Sequence, residues 1–182
     1  MNIIYLYGPP ASGKSTLGRL FAAKNDFEFI DLDAEIEKAA AKRIPEIFKT
    51  EGEKAFRKLE KETLKRVVAD VKDKNTVIAL GGGALLAEES RQLAEETGKI
   101  VVLECSEEEL SRRIAAQKSK RPLLENDTKT ENKLKALLLA RQQHYSSFPT
   151  HLSSLEDVCE ALTEVLKQNE QKKSLRFHGF RS

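Results

Sequence analysis

The sequence contains no tryptophan, only two cysteines and almost no excess of charge of either sign over its 182 residues. Cys105 and Cys159 form neither a disulfide framework nor a metal-ligand spacing, which is typical of a reducing compartment. The 31 Lys and Arg residues against 29 Asp and Glu residues leave a net charge of +2, too little for a field that would attract nucleic acid or a membrane surface. Any selectivity for anions must therefore be local.

Long apolar runs are also missing, so the sequence predicts no membrane-spanning segment. Its first residues have neither the apolar region nor the cleavage site of a secretory signal, and we expect a cytoplasmic protein. No large apolar stripe is left over after the core is assigned, which favours a monomer. Residues 169–182 form a polar, basic tail without periodicity. We expect small-molecule ligands and no nucleic-acid or membrane partner.

Short apolar runs alternate with longer amphipathic stretches, a pattern typical of a parallel sheet with helices on both faces. We predict strands at residues 2–7, 27–31, 76–80 and 99–104, with a weaker strand at 148–152. We predict helices at residues 14–24, 34–41, 45–72, 87–97, 107–118, 131–145 and 155–168. The pattern therefore predicts a three-layer, doubly wound α/β domain of five parallel strands over residues 1–168. Residues 118–130 lack periodicity, and a connection of this length is commonly a lid.

Residues 8–15, Gly-Pro-Pro-Ala-Ser-Gly-Lys-Ser, have the spacing of a phosphate-binding loop between a strand and a helix. Glycines let successive N–H groups point at the β-phosphate, and the helix that follows directs its positive N-terminus at the same anion. Lys14 would bridge the β- and γ-phosphates, and the Ser15 hydroxyl would bind Mg²⁺. The alternative is an ordinary turn with an exposed lysine. The flanking elements favour a nucleoside triphosphate site formed by Gly8, Ala11, Ser12, Gly13, Lys14, Ser15 and Thr16.

Two aspartates follow the second predicted strand, in the run Phe-Ile-Asp-Leu-Asp at residues 29–33. Asp31 and Asp33 leave the carboxyl end of that strand, the edge at which open α/β sheets bind ligands. One carboxylate could serve the metal while the other meets an acceptor hydroxyl. The alternative makes Asp33 the N-cap of the next helix and Asp31 a solvated strand end.

A triple glycine, Gly81, Gly82 and Gly83, ends the third predicted strand at the same edge. Backbone without side chains lets a ligand approach closely, and a plain turn needs fewer glycines, so we favour ligand contact. Arginine suits a planar carboxylate or a transferring phosphoryl group, although a helix arginine is more often simply solvated. The arginines near these features are Arg57, Arg121 and Arg141.

Together these features resemble the shikimate kinase family of P-loop kinases, and the resemblance spans most of the chain. It is carried first by the phosphate-binding loop, the run at residues 29–33 with Ile36 and Glu37, and Ile-Pro-Glu-Ile-Phe at residues 44–48. It continues with Gly-Glu-Lys-Ala-Phe-Arg at residues 52–57 with Glu60, the triple glycine, Arg-Pro-Leu-Leu at residues 121–124, and Arg141 four residues before Tyr145.

The resemblance implies transfer of the γ-phosphoryl group of ATP to the 3-hydroxyl of shikimate, with a mobile lid and a substrate-binding segment at about residues 32–60. Asp33 looks like the carboxylate that receives or orients the hydroxyl, and Lys14 and Arg121 look like the cations that stabilise the transferring group. The other implied contacts are Arg57, Arg141, Gly81 and Gly82 for shikimate, Glu60 behind Arg57, Phe48, Phe56, Pro122 and Leu123 as apolar walls, Ser15 and Asp31 for Mg²⁺, and Arg113 and Arg121 for ATP.

The sequence departs from the family pattern at several positions, none of which removes a charged group that the chemistry needs. Residues 146–155 are shorter than, and unlike, the acidic strand and turn that the family usually has near the adenine, so they predict no adenine contact. Ala11 and Ala41 stand where the family usually has glycine, and Arg43 stands where it usually has a small hydroxyl residue. Two alternatives stay open. One is a kinase for another small hydroxylated acid such as gluconate, against which the paired arginines and the triple glycine argue. The other is a nucleotide-binding or interaction module without catalysis, against which the retained charged residues argue.

Overall fold

The computed structural model describes residues 2–71, 73–106, 108–110, 112–113 and 128–152. The strands in these ranges are β1 (Ile3–Tyr7), β2 (Glu28–Asp31), β3 (Thr76–Ala79), β4 (Lys99–Leu103) and β5 (His151–Leu152). The helices are α1 (Lys14–Asn25), α2 (Leu32–Ala40), α3 (Ile44–Thr50), α4 (Gly52–Asp70), α5 (Glu88–Thr97) and α6 (Thr128–Ser146). Residues 108–110 and 112–113 are also helical.

All five strands pair in parallel, in the order β2-β3-β1-β4-β5. The central strand is β1, whose Tyr5 aligns with Ile78 of β3 on one side and with Ile100 of β4 on the other. Every residue of β1 is buried, as expected for a central strand covered on both faces. The predicted doubly wound α/β class is confirmed, and the carboxyl ends of the strands meet at one edge.

Alternate residues of the central strands point to opposite faces of the sheet and pack into two apolar clusters. Tyr5 and Tyr7 lie in one cluster, together with the buried residues of α2, α3 and α4. Ile4 and Leu6 lie in the other, against Phe21 of α1. Each aliphatic or phenylalanine side chain buried in this way contributes about 1.5–3 kcal/mol. The two clusters hold the sheet edge and its loops in place.

The single helix predicted for residues 45–72 is wrong, because the structure has two helices there. Helix α3 ends at Thr50, and α4 begins at Gly52, whose φ of +83° is a conformation that L side chains rarely adopt. The break brings Phe48 of α3 against Phe56 of α4, with ring centroids 4.6 Å apart. The predicted substrate-binding segment therefore spans α2, α3 and the first half of α4.

Helix α6 begins at Thr128, so the last residues of the segment predicted as a lid are helical. The rest of that segment, with Arg121, Pro122 and Leu123, lies outside the described residues. The predicted helix at residues 155–168 and the tail at residues 169–182 lie outside them as well. Among the helices that the structure describes, none combines the length and apolar character that a membrane crossing requires.

Helix α2 ends on an alanine in the left-handed region. Ala41 has a φ of +49°, and its N–H donates to the carbonyl oxygens of Glu37 and Lys38, which closes the helix. An L side chain in this conformation costs about 1–2 kcal/mol, which is why glycine is the usual residue at such a position. The departure from the family pattern at Ala41 therefore coincides with a strained backbone position.

We expect Ala41→Gly to raise the free energy of unfolding by about 1 kcal/mol, because glycine removes the left-handed strain although it also makes the unfolded chain more flexible. Ala39→Gly is the matched control, since Ala39 is exposed inside α2. Glycine at residue 39 should lower the free energy of unfolding by about 1 kcal/mol. Urea denaturation followed by circular dichroism measures both variants. Equal losses of stability would show that Ala41 is not strained.

Candidate active site

The phosphate-binding loop, residues 8–13, connects β1 to α1 at the carboxyl edge of the sheet. Gly8 has a φ of +131°, and a Cβ there would lie 2.6 Å from the carbonyl oxygen of Leu103, so only glycine fits. Ala11 has a φ of +62°, again a left-handed conformation at a position where the family usually has glycine. The loop thus keeps the backbone path of a glycine-rich turn with a stiffer residue in it.

Lys14 begins α1 and turns its ammonium group back onto the loop. Its Nζ donates to the carbonyl oxygens of Gly8 at 3.1 Å and Pro9 at 2.6 Å, and lies 3.3 Å from Ser12 Oγ. The enclosing cleft walls lower the pKa of Lys14 to about 8, although two nearby aspartates act in the opposite direction. A phosphate group would give this ammonium a charged partner in place of neutral carbonyls.

Ser15 and Asp31 bring together the two oxygen ligands that the resemblance implies for Mg²⁺. Ser15 Oγ donates a hydrogen bond to Asp31 Oδ2 at 2.6 Å, so both oxygens lie side by side next to the loop. Mg²⁺ commonly keeps several waters and takes one or two protein ligands plus substrate phosphates. A pair of side-chain oxygens matches this requirement. Within the described part of the chain, no cluster of three or more His, Cys, Asp or Glu side chains could hold a metal. The pair therefore suits an ion that arrives with a nucleotide.

The N-cap of α2 is Asp31 and not Asp33. Asp31 Oδ1 accepts a hydrogen bond from the backbone N–H of Asp33 at 3.1 Å. The alternative that made Asp33 the cap is therefore wrong, and the Asp33 carboxylate is left open to the solvent of the cleft. The cleft walls still desolvate it enough to raise its pKa, Asp31 adds to this effect, and Lys14 opposes it. A carboxylate in this position can orient a hydroxyl group or accept its proton.

Each member of the triple glycine leaves room for a different group of the site. A Cβ added to any of the three would come within 3.2 Å of a polar atom. Those atoms are Asp33 Oδ1 and Glu60 Oε1 at Gly81, the Gly8 carbonyl oxygen and the Tyr145 hydroxyl at Gly82, and both terminal nitrogens of Arg57 at Gly83. The alternative of a plain strand-to-helix turn does not account for these approaches.

Arg57 on α4 is held by two acidic residues of its own helix. Its Nη1 donates to Glu60 Oε2 at 2.7 Å, and its Nη2 donates to Glu53 Oε1 at 3.3 Å. The Glu60 side chain is 5% exposed and that of Glu53 is 66% exposed, so the bond to Glu60 is the one shielded from water. Burial raises the pKa of Glu60, and the ion pair with Arg57 opposes the shift. This is the geometry that a residue supporting Arg57 requires.

Arg141 and Tyr145 lie one turn apart on α6 and donate to the same atom. Arg141 Nη1 and the Tyr145 hydroxyl lie 3.1 Å and 2.6 Å from the carbonyl oxygen of Gly82. The Tyr7 hydroxyl, at the end of β1, lies 3.4 Å from that oxygen. The guanidinium groups of Arg57 and Arg141 thus lie beside neighbouring residues of the triple glycine, Arg57 at Gly83 and Arg141 at Gly82.

Arg113 contacts the phosphate-binding loop through two backbone carbonyl groups. Its Nη1 donates to the carbonyl oxygens of Ala11 at 3.3 Å and Ser12 at 3.0 Å, and its Nε donates to Glu109 Oε1 at 2.7 Å. The side chain therefore lies on the nucleotide side of the site, where the resemblance implies an ATP contact.

A cleft of about 1360 Å³ runs along the carboxyl edge of the sheet, enough for a nucleotide and a small second ligand. The predicted residues in its lining are Ala11, Ser12, Gly13, Lys14, Ser15, Thr16, Asp31, Asp33, Gly81, Gly82 and Arg113. The predicted residues that lie outside its lining are Gly8, Phe48, Phe56, Arg57, Glu60 and Arg141. Gly83, for which the sequence also predicts ligand contact as part of the triple glycine, lies outside the lining as well. The sequence assigned no role to Tyr7 or Glu109, and Tyr145 entered only through its spacing from Arg141.

The fold and the site together define a class of protein. A phosphate-binding loop follows the central strand, and the side-chain oxygens of Ser15 and Asp31 lie beside it. An aspartate and two arginines meet the same sheet edge a short distance away. This is the arrangement of a P-loop kinase that acts on a small anionic acceptor.

Comparison with known proteins narrows the class to one family. The family model for shikimate kinase matches residues 10–170. The shikimate kinase of Chlorobium limicola is 38% identical over 176 residues, which cover 91% of this chain and 86% of that protein. The chain belongs to the shikimate kinase family, and the predictions of this family and of a kinase are confirmed.

Solved structures agree with this assignment. A shikimate kinase from Acinetobacter baumannii in complex with shikimate has a TM-score of 0.78 and 32% identity, covering 93% of this chain and 94% of that one. A shikimate kinase from Bacteroides thetaiotaomicron has a TM-score of 0.80 and 31% identity, covering 91% of this chain and 98% of that one. A gluconokinase from Sinorhizobium meliloti 1021, at a TM-score of 0.55 and 16% identity, shares the fold alone.

We expect Glu60→Ala to lower the free energy of unfolding by about 2–3 kcal/mol, because it leaves a half-buried guanidinium without its shielded partner. Glu53→Ala is the matched control, since Glu53 contacts the same guanidinium from an exposed position and should contribute less than about 1 kcal/mol. Urea denaturation measures both variants. Equally small losses would contradict the conclusion that Glu60 is the residue that holds Arg57.

Proposed function

We propose that this chain transfers the γ-phosphoryl group of ATP to the 3-hydroxyl of shikimate. The observation that carries the proposal is the meeting, at one sheet edge, of the phosphate-binding loop, Asp33 and the guanidinium groups of Arg57 and Arg141. Membership in the shikimate kinase family supports the same acceptor, as does the similarity to an enzyme that was solved in complex with shikimate.

Shikimate offers one planar carboxylate and several ring hydroxyls, and each needs a different partner. We assign the carboxylate to Arg57 and Arg141, because two guanidinium forks can bind one carboxylate with several parallel hydrogen bonds. Backbone donors of Gly81 and Gly82 would bind the hydroxyl side of the ring. Phe48 and Phe56, with 39% and 4% exposure, would form the apolar wall, Phe56 mostly from behind Phe48.

Positioning and charge stabilisation supply most of the catalysis in phosphoryl transfer. Lys14 would exchange the loop carbonyls it now contacts for the phosphates of ATP. Asp33 would orient the 3-hydroxyl and accept its proton late in the transfer, a role that its open carboxylate allows. Mg²⁺, held by Ser15 and Asp31 when bound, would supply charge that offsets the phosphates. Arg121 stays the predicted lid cation.

The remaining assignments rest on the sequence. We propose one kinase domain over residues 1–168, acting as a monomer in the cytoplasm, with the tail at residues 169–182 outside the catalytic unit.

The first experiment is ADP release with ATP and Mg²⁺, measured without acceptor, with shikimate and with gluconate. We expect shikimate to stimulate the release at least roughly 100-fold, because catalysis depends on a correctly positioned acceptor. Gluconate should have no such effect. Stimulation by gluconate alone would favour a kinase for another hydroxylated acid. Nucleotide binding without stimulation by either acid would favour a module that has lost catalysis.

We expect Asp33→Asn to lower kcat roughly 100-fold or more, because an amide cannot accept the proton of the 3-hydroxyl. The affinity for ATP should change less than about threefold, since the loop contacts remain. Asp70→Asn is the control, because Asp70 lies exposed at the far end of α4 and should leave kcat unchanged. Steady-state kinetics and nucleotide titration measure these effects. Retention of kcat in Asp33→Asn would overturn the role given to this carboxylate.

We expect Ser15→Ala to raise the Mg²⁺ concentration for half-maximal activity roughly tenfold or more, because one of two protein oxygens beside the loop is lost. Removal of Mg²⁺ with a chelator should abolish turnover of the wild type. Ser106→Ala is the control, since Ser106 lines the same cleft but its hydroxyl accepts from the N–H of Glu109. A Mg²⁺ dependence that Ser15→Ala leaves unchanged would place the ion elsewhere.

A further inference from the structure

The carbonyl oxygen of Gly82 has more hydrogen-bond donors than it needs. A carbonyl oxygen has two lone pairs. The Tyr145 hydroxyl lies 2.6 Å from it, Arg141 Nη1 3.1 Å and the Tyr7 hydroxyl 3.4 Å. The Tyr145 hydroxyl makes a short hydrogen bond to this oxygen, and the Tyr7 hydroxyl adds a longer contact, so the oxygen keeps a good donor when Arg141 leaves it.

We propose that Tyr145 is a positioning residue that releases Arg141 for the carboxylate of the acceptor. This inference rests on the proposed function, since it concerns the binding of shikimate. When the carboxylate arrives, Arg141 Nη1 leaves the Gly82 oxygen, and Tyr145 keeps that oxygen satisfied. Without the tyrosine hydroxyl, the departure of Arg141 would leave a partly buried carbonyl with only the distant Tyr7, and such a loss is unfavourable.

The surroundings of Tyr145 keep its hydroxyl in place as a donor. The side chain is 8% exposed, and its ring packs edge to face against Tyr7, with centroids 5.2 Å apart. The Phe148 ring also packs edge to face against Tyr7, with centroids 5.4 Å apart. Burial raises the pKa of Tyr145 and of Tyr7, so both phenols stay protonated at neutral pH.

The position of Gly82 explains why its carbonyl should not follow Arg141. A Cβ on Gly82 would lie 3.2 Å from the carbonyl oxygen of Gly8 and 3.2 Å from Pro10 Cδ. Gly82 therefore packs directly on the phosphate-binding loop. A fixed Gly82 lets Arg141 change partners at the acceptor side while the loop keeps its shape for ATP.

The test is steady-state kinetics of Tyr145→Phe with both substrates varied. We expect kcat/KM for shikimate to fall roughly 5–10-fold, the effect of losing about one hydrogen bond. The fall should come from a rise in KM for shikimate. Both kcat and KM for ATP should stay within about twofold, because the interaction is the same in the ground state and the transition state. This split between the two KM values is an effect that lost packing would not produce.

Tyr5→Phe is the matched control. Tyr5 lies on the same strand as Tyr7, is fully buried, and donates or accepts one hydrogen bond with Thr97 Oγ1 at 2.6 Å, away from the acceptor site. The Tyr5→Phe variant loses a phenol oxygen from a buried side chain, as Tyr145→Phe does. Its urea midpoint should fall about as much as that of Tyr145→Phe, while its KM for shikimate should match that of the wild type.

A double-mutant cycle with Arg141→Ala decides whether Tyr145 acts through Arg141. In the Arg141→Ala background, Tyr145→Phe should change kcat/KM for shikimate by less than about twofold. An equal fall in both backgrounds would overturn the inference, and so would a fall in kcat or a rise in KM for ATP. A wild type that does not phosphorylate shikimate would instead contradict the proposed function, so the two failures are distinguishable.

Discussion

The acceptor side of the cleft depends on one constraint, the absence of side chains at residues 81–83. Charged groups from three separate elements contact this backbone, and two of them, Asp33 and Arg57, occupy the space that a side chain would take. Asp33 reaches it from α2, Arg57 from α4 and Arg141 from α6. A Cβ at residue 81 would lie 2.9 Å from Asp33 Oδ1, and one at residue 83 would lie 2.8 Å from both terminal nitrogens of Arg57, so a side chain at either position would displace that charged group. The site is therefore organised around a strand end rather than around any one charged residue.

Positively and negatively charged side chains lie close together in the site before any ligand binds. Asp31, Asp33 and Glu60 lie among Lys14, Arg57 and Arg141. Burial raises the pKa of Asp33 and of Glu60 and lowers the pKa of Lys14, so these three groups are displaced toward their neutral forms. Partners within the protein offset this desolvation only in part. An anionic acceptor and a nucleotide with its cation would complete the pairing, because each brings the charge that its side of the cleft lacks. Binding and organisation of the site are for this reason coupled.

Local patterns in the sequence predicted much of this arrangement. They could not predict contacts between residues that lie far apart in the chain. The loop at residues 8–15, the strands and the charged residues were found because each is encoded within a short stretch. The break before Gly52 was missed, because one glycine inside a long amphipathic pattern looks tolerable. The sequence offered Asp33 as the helix cap only as an alternative and did not single out Asp31 for that role, because the helix begins two residues earlier than the pattern predicts. Tyr7 and Gly82 lie 75 residues apart, and only the parallel register of β1 and β3 brings them together.

The tyrosines around Gly82 also contribute to the intrinsic fluorescence of the molecule. The chain has three tyrosines and no tryptophan, so its intrinsic emission comes from phenol rings alone, without energy transfer to an indole. Tyr7 and Tyr145 both contact the Gly82 oxygen, whereas Tyr5 lies two residues earlier in β1 and its hydroxyl contacts Thr97. Two of the three emitters therefore lie beside the acceptor side of the cleft, where a change of partners at the Gly82 oxygen would alter their surroundings.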